Sequence, residues 1–182
     1  MDDTVPRITP GGLRELGLVN HAISAVAGRV VGDRPRVFTT LGRQRGLFRA
    51  WLWYSAHLMP GGKLPRRETE MLICHIAETR GCAYELAQHQ RIGRRAGLTL
   101  EEVQHAGDRA WSGWNDRERA LLDAAHQFVT TRGIDDEAWK ALRRHLDEAT
   151  AVEFCLLCAQ YDSLATVLMT LRVQPDELPP LR

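Results

Sequence analysis

The chain has almost no net charge: 24 Lys and Arg stand against 23 Asp and Glu, leaving +1 with neutral histidines. That balance removes the electrostatic case for nucleic acid or an anionic membrane surface as a partner. No uninterrupted apolar run approaches the roughly 20 residues that cross a bilayer, so no membrane span is expected. The opening Met1-Asp2-Asp3-Thr4 has neither a basic n-region nor an apolar h-region, which argues against a targeting segment. Cysteine is scarce: four in 182 residues do not resemble a secreted disulfide framework in a chain long enough to bury a core. A Gly-rich phosphate loop, a nucleophile elbow and a basic recognition helix are also missing. What remains is a cytoplasmic helical protein whose partner is a small molecule.

The residues that are present read as helices throughout, about eight of them, and the expected fold class is all-α. Leu13, Leu16, Val19, Ile23 and Val26 form an apolar stripe at helical spacing, up to about Val31. Pro35 opens a short helix to Leu41, and an aromatic-rich segment runs from Leu47 to Met59 before Pro60-Gly61-Gly62. Pro65 suits the first turn of a helix over Arg66 to Thr79, Gly81 breaks the chain, and the next helix reaches about Ala96, with Gly97 as its stop. Thr99 with Glu102, and Asn115 with Glu118, are capping boxes for a helix to about Ala106 and another to about Thr131. Asp135 caps a segment to about Leu146, and the most apolar helix spans Glu148 to about Val173. No sustained period-2 run supports a strand. The expected organisation is an N-terminal helical extension over 1–34, a helical domain over 35–175 and an extended tail over 176–182.

Chemistry concentrates in Glu70-Met71-Leu72-Ile73-Cys74-His75-Ile76-Ala77-Glu78-Thr79-Arg80-Gly81-Cys82-Ala83-Tyr84-Glu85-Leu86-Ala87-Gln88-His89. In a helix beginning near Gly81, Cys82, Glu85 and His89 fall at i, i+3 and i+7, so a thiol, a carboxylate and an imidazole share one face. Unpaired polar groups are costly to bury, so such a stripe either faces water or lines a site. Glu85 and His89 form an i, i+4 pair, in which a carboxylate raises the histidine toward working pH. Glu70 is either a general base or the carboxylate that orients His89; its plainer reading is a surface partner of Arg66 or Arg67. Arg43, Arg45, Arg49, Arg66, Arg67, Arg91, Arg94 and Arg95 read first as solvated faces, with Arg91 or Arg94 available to hold a substrate carboxylate.

This stretch resembles the carboxymuconolactone decarboxylase / alkylhydroperoxidase D-like superfamily. Its redox-active branch carries Glu, eleven residues, Cys-x-x-Cys, three residues, His. Here Glu70, Cys82 and His89 stand in that register, with Glu85 in place of the second cysteine. Flanking text also fits: Gly46-Leu47-Phe48-Arg49-Ala50-Trp51, Ala96-Gly97-Leu98-Thr99 and Asp116-Arg117-Glu118-Arg119-Ala120-Leu121-Leu122. The resemblance implies a compact all-helical domain with this helix pair at its heart, no cofactor, and a homo-oligomer (dimer, trimer or hexamer). Because Glu85 cannot close a disulfide, the usual dithiol cycle cannot run at this site.

The expected catalytic residues are therefore His89, Glu85, Glu70 and Cys82, in a lyase-like enzyme that works by proton transfer on a small unsaturated carboxylic acid, lactone or related metabolite. Cys82 is either reactive or a pocket wall. Tyr84, Trp53, His57 and Trp51 are the candidate substrate-binding residues, with core or subunit contact as the plainer reading of the aromatics. The alternatives are an alkylhydroperoxidase-like, peroxiredoxin-like oxidoreductase using Cys82 with Cys155 or Cys158, and a non-catalytic helical oligomer. Cys82, Glu85, His89 and Glu70 are zinc-ligand types, but no paired Cys-x-x-Cys and histidines accompany them, so no metal is expected.

Overall fold

A helix whose middle is apolar on every side must be buried on every side, and the stretch Met71 to Ala77 is such a segment. The computed structural model describes residues 5–31 and 34–177. Among them are nine helices: α1 Leu13–Val31, α2 Arg36–Leu41, α3 Arg45–Leu58, α4 Arg66–Arg80, α5 Ala83–Arg95, α6 Leu100–Gln104, α7 Asp116–Thr131, α8 Asp136–Arg143 and α9 Glu148–Leu171. No strand occurs among the described residues, in keeping with the all-α expectation. The chain divides into two compact units, Met1–His57 with Val167–Arg182, and Leu58–Thr166. The part of the expected tail beyond 177 lies outside the described residues, as do 1–4, 32 and 33 of the expected N-terminal extension.

In the first unit Asn20, fully buried, donates from its side-chain amide to the Gly42 carbonyl at 2.9 Å and so ties α1 to the end of α2. Phe38, Phe48 and Trp51 form an aromatic cluster, with centroids 5.4 Å apart for Phe38 and Phe48 and 6.0 Å apart for Phe48 and Trp51.

The second unit is built around α4, which is buried from Glu68 to Ala77 without a break. Helices α5 and α7 pack along it, and the core includes Met71, Leu72, Ile76, Leu121, Leu122, Phe154 and Leu157. Each polar side chain carried inward by α4 finds at least one partner, although His75 Nε2 makes no hydrogen bond. Glu68 takes a two-pronged contact from Arg117 at 2.7 and 2.8 Å. The His75 imidazole lies 2.8 Å from the Ala106 carbonyl through Nδ1, and burial pushes its pKa down to about 4. It is therefore neutral near pH 7, and Nδ1 is the donor, because a carbonyl only accepts.

The cap signals at Thr99 and Asn115 are both complete, each with reciprocal bonds between cap and third residue. Pro65 stands one position earlier than expected, as the N-cap of α4 rather than in its first turn. Helix α8 stops at Arg143, short of the expected Leu146, because Asp147 caps α9 through Thr150 N–H at 2.7 Å and the intervening residues must turn. By length and composition alone α9 is apolar enough to cross a membrane, which the search for uninterrupted apolar runs did not show. Its inward face, including Phe154, Leu157, Cys158, Tyr161 and Ala165, is core.

The turn between α4 and α5 decides where the motif points. Gly81 adopts the left-handed conformation (φ 69°, ψ 26°), and Cys82 N–H reaches back to the Ala77 carbonyl at 2.8 Å, the bond that closes a Schellman turn. Nothing lies within 4 Å of a Cβ at Gly81, so only the backbone conformation disfavours a side chain there. Gly81→Ala is expected to destabilise the fold by about 1–2 kcal/mol, with Gly81→Asn intermediate, as read from chemical denaturation midpoints at constant m-value.

Candidate active site

Glu70 on α4 and His89 on α5 meet across that turn. The Glu70 carboxylate, fully buried, lies 2.7 Å through Oε2 from His89 Nδ1. Gly93, one turn beyond His89, faces α4 here: a Cβ there would stand at van der Waals distance, 3.4 Å, from the Glu70 Cβ, and 2.7 Å from Leu98 Cδ1, which would have to shift. Arg66, one turn before Glu70, brings Nη2 to 2.6 Å from Oε1. No guanidinium N–H points at that oxygen, so the contact is an ion pair rather than a hydrogen bond. A carboxylate held this way only accepts, which makes Nδ1 the donor and leaves His89 Nε2 to take or deliver a proton.

Tyr161 of α9 sets its ring edge-on against His89, with centroids 5.1 Å apart and planes at 84°. Burial pushes the Tyr161 phenol well above its ordinary pKa; the carboxyls of Glu70 and Glu85 push it further, and Arg66 pulls it back. The same phenol thus senses both carboxyls, the guanidinium and the imidazole.

Glu85 is the anomalous group. It is buried in the first turn of α5, one turn before His89; no strong donor reaches its carboxyl oxygens, and the weak Cys82 thiol is the polar group beside them. The expected Glu85–His89 hydrogen bond is not made; His89 has turned to Glu70 instead. Burial raises the Glu85 pKa from 4.5 to about 8; the Cys82 thiol pulls it back, and Asp162 adds to the rise. At neutral pH this residue is a carboxylic acid, not a carboxylate.

Cys82 is the N-cap of α5, not its first turn, and is buried. Burial pushes its thiol up to about 11, with Glu85 adding to the rise and the Glu85 and Tyr84 backbone N–H groups partly offsetting it. The helix N-terminus therefore fails to make a thiolate here. All four cysteines are free thiols, and burial with the neighbouring Cys155 raises Cys158 as well.

The remaining candidates are placed differently. Tyr84 is buried at the start of α5. Trp51, Trp53 and His57 belong to the other unit: Trp51 stacks on Phe48, while Trp53 is 69% exposed with its ring 4.2 Å from that of His57. Arg94, expected as a possible carboxylate holder, donates instead to the Leu98 carbonyl and secures the turn after α5. Among the described residues, no three His, Cys, Asp or Glu side chains stand close enough to hold a metal ion. Two residues of the site escaped the sequence reading. Gly93 offered a signal as a glycine inside a helical pattern; the Arg66 pairing with Glu70, read as a surface contact, is made with a fully buried carboxylate. Tyr161 gave none, since an aromatic in an apolar helix reads as core.

The all-helical fold is shared with known proteins. Residues 45–127 match the carboxymuconolactone decarboxylase family. Uncharacterized protein YdfG of Bacillus subtilis (strain 168) is 24% identical over 108 residues, which is 54% of this chain and 69% of that protein. An alkylhydroperoxidase AhpD core protein, described as an uncharacterized peroxidase-related protein of Ralstonia eutropha JMP134, shares the fold with a TM-score of 0.83 and 24% identity over 95% of this chain and 93% of its own. The debrominase Bmp8, as a cysteine-to-alanine variant in complex with 2,3,4-tribromopyrrole, gives a TM-score of 0.81 at 19% identity over 93% of this chain and 91% of its own. Residues 45–127 are thus similar to the carboxymuconolactone decarboxylase family, and the fold is that of the alkylhydroperoxidase AhpD core.

The Glu85 environment has a thermodynamic consequence. Below pH 4.5 the residue is protonated whether the chain is folded or not; between 4.5 and about 8 the unfolded chain loses a proton that the folded chain keeps. Folding stability from this group is thus lost as pH rises across that window. Glu85→Gln should match wild type in thermal stability at the acid end and gain on it steadily to about pH 8, in melting curves across pH.

Proposed function

We propose that this chain is a cofactor-independent enzyme that moves a proton on a small unsaturated carboxylic acid, lactone or related metabolite, in a decarboxylase, lyase or isomerase type of reaction. The observation that carries this reading is the pairing of opposites: a carboxylate (Glu70) fixed on His89, and one helical turn away a buried carboxyl (Glu85) with only the weak Cys82 thiol beside it, held in its acid form. Carboxyl groups whose environments drive them apart are how one site supplies both a base and an acid at neutral pH.

In this mechanism His89 Nε2 accepts a proton from the carbon beside an unsaturated acyl group, or returns one to it after carbon dioxide leaves. Glu70 holds the imidazole by Nδ1 and stabilises the charge it acquires. The Glu85 carboxylic acid donates its proton toward the oxygen on which dienolate charge develops, where a positioned donor in a dry site is worth most. Cys82, held as a thiol, walls the site; Tyr84 is its buried neighbour. Of these groups His89 has more of its side chain exposed than Glu70 has, 13% against none, and gives the buried acid and base their exchange with solvent. Exposed Leu18, Leu47, Trp53 and Val152 support a homo-oligomer as the working form.

A second reading, peroxide reduction or thiol exchange through Cys82, draws support from the peroxidase-related neighbours. The buried, protonated thiol weighs against it. The deciding experiment follows deuterium incorporation from heavy water into a panel of unsaturated carboxylic acids and lactones by NMR, beside peroxide consumption with a dithiol reductant. Incorporation that falls about 100-fold or more in His89→Ala and Glu85→Gln, and survives in Cys82→Ser, is the expected result. Peroxide consumption abolished by Cys82→Ser and retained by His89→Ala would reverse the two readings.

A further inference from the structure

We infer that Arg66 is the anchor for a carboxylate on the substrate, so that the site takes a small organic anion in preference to a neutral lactone, ester or amide. This deepens the acid–base reading above and rests on it.

The arginines around α4 are otherwise committed. Arg67 is shared between Glu102 and Glu118. Arg117 grips Glu68 with two nitrogens and gives a third contact to the His145 carbonyl at 2.6 Å. Arg80 pairs with Asp162, and Arg94 serves the Leu98 carbonyl. In each, N–H bonds are directed at the partner. Arg66 differs: among the described residues its side chain meets only Glu70, and there without an N–H aimed at the oxygen. A guanidinium presents five N–H donors in a rigid fork that matches a carboxylate two-pronged. Here only Nη2 faces Glu70, and the fork's remaining N–H groups stay available to a second carboxylate.

Its position suits the role. The Arg66 side chain is 38% exposed and that of Glu70 is fully buried, so the cation stands on the solvent side of the carboxylate it neutralises. The Glu70 carboxylate carries Arg66 on one oxygen at 2.6 Å and His89 on the other at 2.7 Å, so an anion on the fork is held near the imidazole. Of the two carboxyls beside it, only Glu70 brings a full negative charge, and that charge is already shared with Arg66.

The test is isothermal titration of the full chain with sorbate, an unsaturated carboxylate, and with sorbamide, its neutral counterpart of nearly equal shape. Sorbate should bind about tenfold more tightly than sorbamide. Arg66→Met should abolish that preference while leaving sorbamide binding in place, and Arg66→Lys should restore part of it; melting curves check that each variant folds. Equal binding of acid and amide by the unaltered chain, an unchanged preference in Arg66→Met, or no sorbate binding at millimolar concentration would each overturn the inference. If Arg66→Met does not fold, the acid-to-amide ratio of the unaltered chain and of Arg66→Lys still decides it. The two proposals fail separately. Acid preference without deuterium exchange on any compound sinks the acid–base reading and keeps the anion site. Exchange on neutral lactones with no acid preference does the reverse.

Discussion

Burial of α4 is the constraint on which the rest of this protein depends. A helix enclosed from Glu68 to Ala77 carries two carboxylates and an imidazole into the core of its unit. An ionised group in such a place costs several kcal/mol unless a partner stands ready, and removing one partner of a buried pair costs about 3–5 kcal/mol. Each group therefore dictates something about its surroundings. Glu68 requires Arg117 from α7, His75 requires the Ala106 carbonyl after α6, and Glu70 requires Arg66 and His89. The turn at Gly81 is what allows α5 to deliver that histidine.

Glu70 and Glu85 show how environment rather than residue type sets chemistry. Both are buried glutamates within one helix–turn–helix. One is held by a guanidinium and an imidazole; the other has only the weak Cys82 thiol beside it and keeps its proton to about pH 8. Structural proteins rarely tolerate a buried carboxyl so weakly partnered, since satisfying or replacing it would stabilise the fold. Its presence beside an oriented histidine is the kind of local cost that marks a site. The thiol of Cys82 obeys the same logic: the helix N-terminus favours its anion, burial and Glu85 oppose it, and the opposition wins. One helical frame can thus be shared while the groups inside it do different work.

Local signals made the helices readable. The capping pairs Thr99/Glu102 and Asn115/Glu118, the stop at Gly81 and the apolar stripe of the first helix act within a few residues, so their physics is present in the sequence. The site was readable only in part. Register placed Glu70, Cys82, Glu85 and His89 together, yet the i, i+4 spacing suggested a Glu85–His89 bond that the fold replaces with Glu70–His89. Spacing along one helix cannot say which neighbour a side chain prefers once a second helix arrives. Arg66 looked like an ordinary surface partner, and Tyr161, far along the chain, looked like packing.

By itself the sequence determined the fold class, the helix boundaries to within a few residues, and the identity of the chemically capable groups, because periodicity, caps and breakers are local properties. Only the tertiary structure decided which of those groups became a base, which an acid and which a bystander. Protonation and pairing depend on burial and on partners from other helices, and neither is written at any one position of the chain.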